Sequence, residues 1–106
     1  MISTQEQITS ILLEMRRSVL STPIDSIDSL SQQYGIVFSG ENGNIINSVE
    51  FCYMLNKQFS IDISHDSLVY MLPTICAAIS MPITAVFSID SVSNGSPSLS
   101  EYTIQL

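Results

Sequence analysis

Basic residues are scarce in this chain. Arg16, Arg17 and Lys57 stand against ten acidic residues, for a net charge of -7 over 106 residues. Phosphate backbones are held by lysine and arginine that release counterions, so nucleic acid is excluded as a direct partner. An anionic membrane surface is disfavoured for the same reason. Tryptophan is absent, histidine occurs once and cysteine twice, and no spacing among them fits a metal-ligand set. Phosphate-loop and dinucleotide-binding glycine motifs are missing as well. No apolar run approaches the length of a membrane span. The start, Met1-Ile-Ser-Thr-Gln-Glu, lacks the basic and apolar regions of a secretory signal. With only two cysteines, this points to a soluble protein in the reducing cytoplasm.

What remains is apolar and uncharged. The hydrophobic fraction is 45% and the charged fraction 12%, so serine, threonine, asparagine and glutamine must supply most of the polar surface. This length supports one domain with one modest core. Ser3 and Glu6 form a capping box, and Ile8, Ile11, Leu12, Met15 and Val19 then mark one face of a helix from about Thr4 to Leu20. Arg16 and Arg17 fall near its C-terminal end, where the macrodipole favours cations. Pro23 ends it. Ile24, Ile27 and Leu30 suit a short helix or a segment wrapped over the core, and Gly35 is a stop. Ile36-Val-Phe is a strand or an apolar plug, and Ser39 to Asn44 is turn chemistry.

The stretch from Gly43 to Ile63 organises the rest. Asn47 can cap a helix, with Glu50 reaching back to it. Phe51, Leu55 and Phe59, with Val49 and Cys52 beside them, make an apolar stripe. Ser48 therefore stands in the first turn of an amphipathic helix. Ser64-His-Asp caps a further helix from about Asp66 to Leu72, and Pro73 opens another that runs to Ser80. Ile83 to Ile89 and Leu99 to Leu106 alternate with a period of two around an Asn-Gly loop, which predicts a β-hairpin. A hairpin alone is marginal, so it should pack on the helices or pair with Ile36-Val-Phe. The expected division is a helical part over 1–82 and a hairpin tail over 83–106, packed as one domain.

Residues 4–80 resemble the acyl carrier and peptidyl carrier family. The likeness rests on Asn47-Ser48 before Val49-Glu50-Phe51, on Leu55 and Phe59, on Ile61-Asp-Ile63, and on the Leu72-to-Ile79 ending. It implies a mainly α fold, a small four-helix carrier-like bundle extended by the hairpin. It also implies a 4'-phosphopantetheine arm on Ser48, presenting a thioester-bound acyl or aminoacyl group to partner enzymes through an acidic helix face. Registering the motif from the end of the helix instead puts Ile45 at the attachment position, and an isoleucine forms no phosphodiester. Only Glu50 adds negative charge to this helix, and Lys57 opposes it.

The residues support a second reading, a small acidic interaction module of adaptor, inhibitor or immunity type. Its partners would carry basic docking surfaces, and the apolar side chains of the tail admit a homodimer. A winged-helix arrangement is a variant of that reading, because a hairpin after helices imitates a wing. Tyr53, Met54, Tyr70 and Met71 fit either a core or a partner-binding patch. His65 reads as solvated capping sequence, since no spacing offers it a third catalytic partner. No catalytic residue and no metal ligand is expected.

Overall fold

The computed structural model describes residues 3–41, 43–87 and 99–106. The loop expected over 90–98 lies outside them. The chain is mostly helical, with four α-helices and a three-stranded antiparallel sheet among the described residues. No helix in it is long and apolar enough to cross a membrane.

Helix α1, Thr4–Ser21, starts where Ser3 Oγ accepts from the Glu6 N–H at 3.2 Å. It buries the predicted face, Ile8, Ile11, Leu12, Met15 and Val19. Arg16 does not serve its own helix end. It lies short of the last turn, and its guanidinium donates to the Ile79 carbonyl at 3.0 Å, at the close of another helix. That bond satisfies one of the carbonyls a helix leaves unpaired at its C-terminus. A 3₁₀ turn, Ile24–Ser26, leads into α2, Ile27–Tyr34, which ends on Gly35 in the left-handed conformation (φ 71°). Ile36 and Phe38 plug the core on either side of exposed Val37. Gly43 closes the following turn at φ 61°, packed so tightly that a Cβ there would meet the Ile27 side chain at 2.9 Å.

The third strand is not Ile36-Val-Phe. Strand β1 is Ile45–Asn47, and Ser39 meets it only through a single bridge to Ile45. The hairpin strands are β2, Ile83–Phe87, and β3, Leu99–Gln105, in the sheet order β1-β3-β2. Because β3 is central, the hairpin is no appendage to the helices. Its Ile104, fully buried, sits between Ile46 on one neighbour and Ile83 on the other. This row of isoleucines gives the sheet a core face, and such cross-strand pairs are what stabilise a sheet beyond its ladder.

Helix α3, Ser48–Gln58, follows β1 without a break. Asn47 caps it, accepting from the Val49 and Glu50 N–H groups at 2.7 and 3.4 Å. Of the predicted stripe Phe51, Cys52 and Leu55 are buried, joined by Met54, whereas Val49 and Phe59 are exposed. Asn56 ties the next link down by donating to the Cys52 and Ile63 carbonyls.

Helix α4, His65–Ala78, corrects the expectation of two short helices. Pro73 lies inside it and costs about 3 kcal/mol or more by deleting one ladder bond. Leu68, Leu72, Ile75 and Cys76 share one stripe that passes straight over the proline, all buried. Each such burial stabilises by about 1.5–3 kcal/mol, so the continuous stripe outweighs the missing bond. Pro73 itself faces solvent, where water can serve the freed carbonyl.

Both α3 and α4 are followed by serines in the left-handed region, Ser60 (φ 54°) and Ser80 (φ 55°). Glycine is the usual residue there because it has no Cβ to strain. Replacing both serines, Ser60→Gly and Ser80→Gly, should raise stability by about 1 kcal/mol in all. Urea unfolding of the double variant measures this, and a lower midpoint would contradict it.

Candidate functional site

Ser48 begins α3 at the point where β1 stops being a strand. In the β1–β3 ladder the Leu106 N–H bonds the Asn44 carbonyl at 2.7 Å, and Ile104 stands opposite Ile46. Continued one step, that register puts Tyr102 opposite Ser48. The Ser48 backbone has by then turned into the helix and its carbonyl is committed there. Its side chain takes over, and Ser48 Oγ accepts from the Tyr102 N–H at 2.9 Å. A hydroxyl thus finishes the ladder that the main chain abandons.

The same oxygen lies 2.9 Å from His65 Nε2, at the start of α4. Which of the two donates is set by the imidazole tautomer. Next to this contact, Asn47 Nδ2 donates to the Glu101 carboxylate of β3, so cap and strand are tied a second time. No buried side-chain oxygen or nitrogen among the described residues lacks a partner.

A serine hydroxyl bonded to an imidazole is the geometry of an activated nucleophile. Here Ser48 has 0% exposure and is the only buried polar side chain of the described core. A substrate has no approach to it. Ser48, the expected attachment point for phosphopantetheine, is thus enclosed, whereas a hydroxyl to be loaded must face solvent. Ile45, the alternative position, is half-buried and bears no hydroxyl. His65 also differs from its reading as solvated sequence, being half-buried against Ser48. Nothing in a separation of 17 residues could announce that contact. Among the described residues, no three histidine, cysteine or acidic side chains gather as a metal site.

The accessible features lie elsewhere. On α3, Val49 and Tyr53 are 50% and 62% exposed, and the Lys57 ammonium stands 5.6 Å from the Tyr53 ring centre. On α4, Tyr70 is 86% exposed and shares a shallow dent with Asp66, Ser67 and Met71. A cavity of about 450 Å³ opens between α1, α2 and α3, lined by Ile11, Glu14, Tyr34 and Phe59 among others. Both cysteines are free and buried. Burial pushes the Cys76 thiol up to about 11. Burial also raises Cys52, against which the Asn56 amide hydrogen bond works. Neither has the thiolate character of a reactive cysteine. The chain matches no family model, no curated protein and no solved structure.

Two measurements check this picture. Ser48→Ala strips Tyr102 of its acceptor and His65 of its hydrogen-bond partner, and should cost about 1–3 kcal/mol in urea unfolding. In a double-mutant cycle with His65→Ala the two losses should be coupled by about 0.5 kcal/mol or more; strict additivity would mean that the contact contributes nothing. The Cys76 thiol sets a pH dependence. Between its ordinary 9.0 and about 11 the unfolded chain releases the proton while the folded chain keeps it. Stability should therefore fall as pH rises through that window, and the fall should be smaller in Cys76→Ala, where only Cys52 remains.

Proposed function

We propose that this chain is a small acidic protein–protein interaction module, of adaptor or inhibitor type, that carries no prosthetic group. The observation behind the reading is the solvent face of α4. Tyr70 stands 86% exposed there, beside Met71 and Asp66, on a helix without lysine or arginine.

With α2 set aside, the order helix, strand, two helices, strand, strand, with the last strand central, resembles winged-helix connectivity. The hairpin β2–β3 takes the place of the wing, and α4 takes the place of the helix that helix-turn-helix domains lay in the DNA major groove. Such a helix needs lysine and arginine to meet phosphates. All three basic residues of this chain precede position 58, whereas Asp62, Asp66, Asp90 and Glu101 follow it. The face that would read DNA is acidic and aromatic, which suits a protein surface of opposite charge. Exposed tyrosines are typical anchors of protein interfaces. Two free, buried thiols fit a cytoplasmic location.

The carrier-like bundle loses its chemical ground with Ser48 enclosed. Pantetheine attachment needs an oxygen that a transferase can reach, and this one is engaged on both sides.

Capture from an extract of the source cells, by the tagged chain and by its Tyr53→Ala/Tyr70→Ala variant, tests the reading. The wild type should retain a protein that the variant loses, and retention should weaken as salt rises from about 0.05 to 0.5 M. Identical capture by both chains would remove the proposal. Co-expression with a broad-specificity phosphopantetheinyl transferase should leave the intact mass unchanged, and a gain of one arm would restore the carrier.

A further inference from the structure

We propose that Asp66 and Tyr70 form a docking site for the guanidinium of an arginine on the partner, a deepening that rests on the interaction reading above. The two residues stand one turn apart on α4 (i, i+4), so they share a helix face, and with Ser67 and Met71 they line one dent of about 490 Å³. Asp66 is exposed, and Tyr70 offers its ring to solvent almost entirely. A ring face attracts cations through its quadrupole, and a carboxylate beside it completes a two-part cation site. The Met71 side chain, partly buried against the core, gives an arginine stem an apolar wall.

The molecule already uses half of this chemistry internally. Lys57 stands over the Tyr53 ring on α3, so that aromatic face has its cation. Among the described residues no cation stands over Tyr70. Arg16 is engaged with the Ile79 carbonyl, and no lysine or arginine follows position 57 in the sequence. The Tyr70 ring is thus open to a cation from another molecule. The positive end of the α4 dipole opposes a cation in the first turn, and the charge of Asp66 offsets that opposition. Arginine fits better than lysine, because a planar guanidinium stacks on the ring while its N–H groups pair with the carboxylate.

Titration of the isotope-labelled chain with N-acetyl-arginine methylamide, and separately with N-acetyl-lysine methylamide at equal ionic strength, tests the site by amide chemical shifts. Arginine should move the amides from Asp66 to Met71 and saturate, with an affinity about three- to tenfold above that of lysine. Tyr70→Phe, which keeps the ring, should retain binding, while Tyr70→Ala and Asp66→Asn should each weaken it at least about threefold. Equal shifts from both compounds, or shifts spread over every acidic surface, would overturn the proposal. A protein whose capture depends on Tyr70, together with α4 amides indifferent to arginine, removes the guanidinium site and leaves the docking face standing. Arginine-selective shifts without any captured protein uphold the site and count against the interaction reading.

Discussion

One oxygen joins three parts of this fold. Ser48 Oγ takes the Tyr102 N–H of the central strand and meets the His65 ring at the head of α4, while its own backbone carries β1 into α3. Each bond alone contributes about 1 kcal/mol. Their joint importance is geometric. The strand-to-helix change at Ser48 would leave a buried edge of the ladder unpaired, and a backbone N–H without a partner costs more than a hydrogen bond gains. A side chain one atom longer or without oxygen could not fill the same gap.

Around this node the core is assembled by apolar stripes that ignore local breaks. The α4 stripe runs over Pro73, and the isoleucine row crosses three strands drawn from distant parts of the chain. Polar links then fix the ends of elements. Arg16 of α1 closes α4, Asn56 of α3 holds the link to α4, and Asn47 is bound to Glu101 on β3. The helices and the sheet are thereby one unit, with the hairpin's central strand inside it.

Charge decides what such a unit can meet. After Lys57 the chain holds only acidic ionisable residues apart from one histidine, its tyrosines and Cys76, and its most exposed aromatic stands on α4 beside one of those acids. The Ser48 hydroxyl is enclosed and faces no solvent. The proposed recognition uses the outer faces of α3 and α4, where Tyr53 and Tyr70 are exposed.

Much of the fold was legible from local rules. The first helix, the Asn47 and Ser64 caps, the Gly35 stop and the pairing of the last two strands follow from periodicity and capping, which act within a few residues. Local rules failed where distant residues competed. Ile45–Asn47 became a strand because β3 came to lie beside it, and Val49 and Phe59 lost their predicted burial once Met54 turned toward the core. Whether Ser48 was an exposed hydroxyl or an internal link was undecidable from its neighbours in sequence, since both readings need the same helix start. Its partners, His65 and Tyr102, lie 17 and 54 residues away. The sequence by itself determined charge, element order and the caps; only tertiary packing decided which face of each element was inside, because burial depends on what arrives from elsewhere in the chain.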